Sequence, residues 1–330
     1  MRILAYGVAA YERPLLEKAF TGRHPLHCLE AELAADTVAL ARGYEMVLTS
    51  VNARLTAEVL ERLEAGGTRL ITQRTTGYNN IDLGAAERLG LWVCRVSGHS
   101  PHSVAEFAWA LVQTLNRRTH RAYVRTREFD FRLDGLMGRD VHGMTVGVVG
   151  TGRIGAAFAR IAHGYGTELV GWDVSANPAC EELGMHYVEL PDLLTRSDIV
   201  SLHVPLTPAT HHLLDATALR HLREDSILVN TGRGGLIDCA ALMDALRAGR
   251  LGGVGLDLYE EEAGVYYRDL PAQIVADDVL AGLVTFANVI VTSHQACFTR
   301  EATQAVLDTT VQNVEDYLAG KVTENTLAHP

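Results

Sequence analysis

The run Met144-Thr145-Val146-Gly147-Val148-Val149 leads into Gly150-Thr151-Gly152-Arg153-Ile154-Gly155, and Asp173 follows the next apolar run, Glu168–Trp172. Strand, Gly-x-Gly-x-x-Gly turn, helix, strand and acid in that order are the fingerprint of a dinucleotide-binding βαβ unit. Gly150 allows the tight turn, Gly152 lets a pyrophosphate reach the backbone, and Gly155 lets helix and strand pack closely. The helix start at Arg153 and Ile154 offers N–H groups to phosphate. Asp173 is expected to accept hydrogen bonds from the adenosine ribose and to repel a 2′-phosphate, which selects NAD over NADP.

The fingerprint lies mid-chain, so a whole segment precedes it. At 330 residues the length suits two domains, and the 48% hydrophobic content suits packed cores. Candidate strands before it are Ile3–Tyr6, Met46–Thr49, Leu70–Thr72 and Trp92–Val96. From Met144 onward they are Thr145–Val149, Glu168–Trp172, Ile199–Val204, Ile227–Asn230, Gly253–Leu258 and Val289–Thr292. Most are continuous apolar runs, as in strands covered on both faces of a parallel sheet. Alternation with helical patterns predicts an α/β class with two doubly wound parallel-sheet domains. Ser100 and Pro101 suit the N-cap and first turn of a long helix, whose apolar stripe gives way to Arg117, Arg118, Arg121, Arg125, Arg127 and Arg132. That run reads as a solvated or subunit-facing side.

A formal net charge of −11 argues against nucleic acid or an anionic membrane as partner. No apolar run approaches membrane-spanning length, and the first ten residues read as a strand rather than a signal peptide. The five cysteines are scattered, without a Cys-x-x-Cys, so reduced thiols in the cytoplasm are expected. No metal is expected either, because His211 and His212 are adjacent and do not share a helical face.

Hydride transfer between a nicotinamide and a 2-oxo or 2-hydroxy acid needs a cation for the carboxylate, a proton donor for the carbonyl oxygen and a carboxylate behind that donor. These belong just beyond strand C-termini, where ligands bind in doubly wound sheets. Arg233 follows Ile227–Asn230, Glu262 follows the strand ending near Leu258, and His294 follows Val289–Thr292. Together they form the candidate catalytic set.

Seven motifs carry a family resemblance: Gly77–Asp82, Asn116–Tyr123, Val149–Gly155, Val200–Pro208, Asn230–Gly234, Asp257–Glu260 and Thr292–Ala296. Over essentially its full length the chain resembles the D-isomer-specific 2-hydroxyacid dehydrogenases, nearest to their fermentative D-lactate dehydrogenase branch. The resemblance implies a flavodoxin-like substrate domain (1–99 with 299–330) and a Rossmann NAD-binding domain (100–298). It implies that Arg233 binds the substrate carboxylate and carbonyl, that His294 donates the proton in reduction, and that Glu262 pairs with His294. Backbone N–H groups near Thr76 and Gly77 would meet the carboxylate. Arg153, Ile154 and Asp173 would hold pyrophosphate and ribose, with Val204, Pro205, Thr210, Thr231, Gly232 and Asp257 around the rest of the NAD. The helix after Ser100 would help build a homodimer. The implied reaction is reversible hydride transfer between NADH and pyruvate, giving D-lactate. Two positions depart from the branch. His99 stands where Tyr is usual near the substrate, and Gly232 stands where Ser is usual. His99 keeps other 2-oxo acids open (phenylpyruvate, 2-oxoisocaproate, hydroxypyruvate, glyoxylate). An NAD-sensing, dehydrogenase-like binding protein is the alternative of a different class.

Overall fold

The computed structural model describes residues 1–97, 100–260 and 278–330. His99 and Glu262, both singled out from the sequence, lie outside the described residues. The chain divides into two compact units, Met1–Ser100 with Thr299–Pro330, and Pro101–Phe298.

The first unit holds β1 (Ile3–Ala5), β2 (Leu26–Cys28), β3 (Met46–Thr49), β4 (Leu70–Gln73) and β5 (Trp92–Arg95). The second holds β6 (Thr145–Val149), β7 (Glu168–Trp172), β8 (His186–Tyr187), β9 (Ile199–Leu202), β10 (Ile227–Asn230), β11 (Gly253–Leu256) and β12 (Val289–Val291). The chain then returns to the first unit with the helix Arg300–Leu318 and β13 (Thr326–Ala328).

In the first unit the strand order is β13-β5-β4-β3-β1-β2, parallel throughout except for β13, which runs antiparallel to β5. Fully buried β3 and β4 explain the unbroken apolar runs Met46–Leu48 and Leu70–Ile71. One face packs Leu4, Val47, Ile71 and Val93 against Val59, Leu60 and Leu63 of the helix Ala57–Ala65. The other packs Ile3, Leu48 and Leu70 against Leu307 and Val314 of the returning helix. Composition alone does not reveal that docking. Asn313 fixes it by donating from Nδ2 to the Arg95 carbonyl at 2.9 Å.

The second unit's sheet is parallel in the order β12-β11-β10-β9-β6-β7-β8. The helix Pro101–Arg117 covers one face, where Trp109 and Val112 pack with Phe158, Val146 and Val148. The helix Cys239–Arg247 covers the other, with Leu242 and Leu246 over Leu228 and Val254. Burying each such aliphatic side chain stabilises the unit by about 1.5–3 kcal/mol. The long helix stops at Arg118, whose φ of 51° breaks the helical path, and a second helix runs Thr119–Arg127 with none of its residues buried.

Strands Ile199–Val204 and Gly253–Leu258 were expected to run longer than they do. Pairing ends at Leu202 and Leu256, while Val204 and Leu258 stay buried beyond the strand ends. The apolar run therefore marks burial, and the ladder stops where the chain turns over the sheet edge.

Candidate active site

The strand register brings the candidate residues of the second unit to one edge. Asn230 pairs with Leu256, and Leu256 with Val291, so β10, β11 and β12 end level. Thr231–Arg233, Asp257 and Thr292–His294 emerge side by side from those ends. β9 pairs Leu202 with Val149 and with Asn230, so the glycine loop and Val204 share the same edge.

Gly150 sits at φ 92°, and a Cβ there would stand 2.8 Å from the carbonyl carbon of His203 and from Val204 N. A Cβ on Gly155 would run into the Gly150 carbonyl oxygen. A Cβ on Gly152 meets nothing within 4 Å, so the middle of the loop faces open space. Gly152 is also the N-cap of the helix Arg153–Gly164, and no side chain caps it. The first N–H groups at Arg153 and Ile154 are therefore offered to an anion.

Asp173, just past β7, is already oriented by this loop. Its Oδ2 accepts from Thr151 N at 2.6 Å and from Thr151 Oγ1 at 3.2 Å, while Oδ1 accepts from Val174 N at 2.7 Å. Thr151, only 1% exposed, is the hub of a small network. Tyr187 Oη donates to its Oγ1 at 2.8 Å, and Asn177 Nδ2 donates to its carbonyl at 2.7 Å. Neither Tyr187 nor Asn177 was expected from the sequence; the signal for them is only their place beyond β7. Pro205 and Thr210 bound one turn, in which Thr210 Oγ1 donates to the Pro205 carbonyl at 2.6 Å.

Arg233 is partly buried at the end of a turn shaped by Asn230. Asn230 is fully buried; its Oδ1 accepts from Gly232 N at 3.0 Å and its Nδ2 donates to the Arg233 carbonyl at 2.8 Å. This Asx turn makes Asn230 a positioning residue that the reading of the motif passed over. Arg233 Nη1 donates to the Gly232 carbonyl at 2.8 Å. A Cβ on Gly232 would lie 3.1 Å from Leu236 Cδ1, so the Gly in place of the usual Ser lets Leu236 close on the turn.

His294 is partly buried and adopts φ 54°, a conformation that costs a non-glycine residue energy and needs its surroundings to hold it. Asp257 supplies the hold. Its carbonyl accepts from His294 N at 2.9 Å. Its carboxylate, fully buried, accepts from Thr292 Oγ1 at 2.6 Å, Gln295 N at 2.9 Å and Ala296 N at 2.8 Å. The sequence resemblance puts Asp257 beside the cofactor; in the structure its carboxylate is taken up by the turn that carries His294. The Cys297 thiol on this turn is pushed up, first by burial and then by the nearby Asp257.

Thr76 and Gly77 belong to the first unit, just past β4. Gln73 Nε2 donates to the Gly77 carbonyl and, at 2.9 Å, to Asn80 Oδ1, which folds the Thr75–Asn80 loop back on its strand.

These residues fit a dinucleotide. The open side of Gly152 and the uncapped helix start suit a pyrophosphate, and the Asp173 carboxylate just past β7 suits hydroxyl donors. Thr231 Oγ1 is buried with no hydrogen-bond partner among the described residues, as expected of a group that meets a ligand.

The NAD-binding domain model of the D-isomer-specific 2-hydroxyacid dehydrogenases matches residues 109–296. The 2-hydroxyacid dehydrogenase A of Aspergillus oryzae is 45% identical over 99% of this chain and 95% of its own. The D-lactate dehydrogenase kk1H of Curvularia clavata is 48% identical over 92% of this chain and 86% of its own. A solved structure reported as the pyruvate reductase of Chlamydomonas reinhardtii superposes with a TM-score of 0.94 at 38% identity, covering 98% of both chains.

Proposed function

Because the chain belongs to the D-isomer-specific 2-hydroxyacid dehydrogenase family, we propose that it interconverts pyruvate and D-lactate with NAD as cofactor. One observation carries the reading. Arg233 and His294, a fixed cation and a proton-transfer group, leave register-aligned strand ends on the sheet that also carries the glycine loop. The similarity to a D-lactate dehydrogenase and to a pyruvate reductase supports the choice of acid.

Bound at the loop, NADH supplies the hydride that reduces the carbonyl carbon. Gly150, Gly152, Arg153, Ile154 and Gly155 would hold the pyrophosphate, and Asp173 the ribose. Val204, Pro205, Thr210, Thr231 and Gly232 would line the remainder. Arg233 pairs through its planar guanidinium with the substrate carboxylate and with the carbonyl oxygen as negative charge grows there. It accelerates the reaction to the extent that it favours that developing charge over the ground state. His294 donates its proton to the same oxygen in reduction and takes it back in oxidation. Glu262, outside the described residues, is the proposed partner of His294.

The assay is NADH oxidation against pyruvate, phenylpyruvate, 2-oxoisocaproate, hydroxypyruvate and glyoxylate, with product chirality determined. Fastest turnover of pyruvate to D-lactate is the expected result. A faster acid reassigns the substrate through the position of His99. Tight NAD binding without turnover of any acid sinks the enzyme reading and leaves the NAD-sensing one.

The homodimer belongs to the same proposal. Phe129, Phe131, Leu133 and Met137 are 85%, 71%, 81% and 87% exposed, and they follow a helix with no buried residue. A chain seldom leaves so much apolar surface uncovered without a partner. Sedimentation velocity at micromolar concentration tests it, and a monomer there overturns it. No helix among the described residues is long and apolar enough to cross a membrane. The free thiols support placement in a reducing cytoplasm.

A further inference from the structure

Among the described residues, one group of side chains outside this machinery has a metal-ligand donor set: His211, His212 and Glu260. The segment carrying both histidines is a turn, so their adjacency does not separate them as a helix would. At His212 the backbone takes φ 50°, and the two imidazoles stack with centroids 4.0 Å apart and planes 27° from parallel. Glu260, distant in sequence, meets them. Its Oε1 lies 2.5 Å from His212 Nε2, and one ligand atom from each residue falls within 4.8 Å of the others.

We infer that His211, His212 and Glu260 form a site for a borderline divalent transition-metal ion of the zinc, cobalt or nickel class. Two imidazoles and one carboxylate suit such ions, whereas magnesium and calcium prefer all-oxygen sets. Ligand bonds of about 2.0–2.2 Å fit a trio of this spread once the exposed His211 ring swings inward. The ion replaces the His212–Glu260 hydrogen bond, the imidazole keeping its N–H on the ring nitrogen that does not bind, and water fills the open position. The location gives the ion a mechanical consequence. His212 N donates to the Gly235 carbonyl at 2.8 Å, on one side of the turn that follows Arg233. On the other side, Gly234 lies against the backbone of Tyr259 and Glu260, where a Cβ would not fit. An ion bridging His212 and Glu260 therefore staples shut the clasp around that turn.

The test is a Co²⁺ titration of the full-length protein, followed by absorption and calorimetry, with Mg²⁺ as control. The inference expects saturable binding of one ion per chain, ligand-field bands without a thiolate-to-cobalt charge-transfer band, and a higher Tm with Co²⁺ but not Mg²⁺. His211→Ala leaves the His212–Glu260 contact in place and should weaken binding by about tenfold or more, as should Glu260→Gln. Absence of saturable binding, a thiolate band, equal binding of Mg²⁺, or affinity unchanged in both variants each overturns it. None of these readouts is turnover, so the outcome is independent of which acid the enzyme reduces.

Discussion

Asp257→Asn separates a residue that holds the His294 turn from one that binds cofactor. The wild-type carboxylate accepts three hydrogen bonds, two on Oδ1 (from Thr292 Oγ1 and Gln295 N) and one on Oδ2 (from Ala296 N). An asparagine keeps the shape but replaces one oxygen with an NH₂. Its least costly orientation keeps the Oδ1 pair and sets the NH₂ against Ala296 N, at a residue only 4% exposed. That removes one charge-assisted bond, about 1.5–3 kcal/mol, and strands a buried donor at a further 1–3 kcal/mol or so, partly offset because no charge is buried any longer. A net loss of about 2–4 kcal/mol follows, and a unit of this size loses about 2–4 °C of Tm per kcal/mol. The turn that relaxes is the one holding His294 at φ 54°, so the proton donor loses its aim. If half of the loss reaches the barrier, kcat falls about fivefold to thirtyfold. Steady-state NADH oxidation with pyruvate, NADH affinity by fluorescence titration and a thermal melt together settle it. The expected pattern is lower Tm, lower kcat and nearly unchanged NADH affinity. An NADH affinity that drops as far as kcat, with Tm unmoved, refutes the clamp and returns Asp257 to the cofactor.

Four further outcomes follow from the same site. Arg233→Lys trades a planar fork for a point charge and should lower kcat/KM for pyruvate by at least about a hundredfold while sparing NADH binding; a loss confined to NADH affinity contradicts the assignment. Asp173→Ser removes the repulsion of a 2′-phosphate and should raise the NADPH-to-NADH ratio of kcat/KM, and an unchanged ratio shows that Asp173 does not choose the cofactor. Gly155→Ala forces a methyl against the Gly150 carbonyl oxygen and should weaken NAD binding or lower Tm, whereas a variant with native affinity and Tm disproves the close packing. Burial pushes the His203 imidazole down to about 3 from an ordinary 6.5, so the folded protein binds fewer protons than the unfolded chain between those values. Its contribution is complete above about pH 6.5 and is lost as pH falls toward 3, by at most about 1.4 kcal/mol per pH unit. His203→Gln should flatten that part of a urea-melt pH profile; an identical slope in the variant rejects the assignment.

The second unit was legible because its central strands are buried on both faces and read as unbroken apolar runs. Of the four edge strands, only Val289–Val291 was; the other three were not. Leu26–Cys28, His186–Tyr187 and Thr326–Ala328 are two or three residues long and only partly covered, so no run announces them. The place of Arg233 and His294 just past β10 and β12 was legible because the strands that lead to them are apolar runs that can be read in order along the chain. Tertiary pairings leave no such trace. Nothing near Asp257 in the sequence shows that its carboxylate is filled by Thr292, Gln295 and Ala296. Nothing near His212 shows that it meets Glu260. Asn230 lies between these cases, since an Asn closing an apolar run before Gly-Arg-Gly is a turn signal that can be read from the sequence.

The return of Arg300–Ala328 to the first unit bears on the order in which a nascent chain can fold. As the ribosome extends the polypeptide, β1 to β5 emerge early, yet the face formed by Ile3, Leu48 and Leu70 is covered only in part, by Leu16 and Phe20 of the helix Arg13–Phe20, until Leu307 and Val314 are made. The free edge of β5 waits for β13 in the same way. The second unit is continuous in sequence and meets no such delay. A fragment ending before residue 300 would thus carry a complete cofactor domain behind an unfinished leading domain, open to chaperones and proteases until translation passes β13.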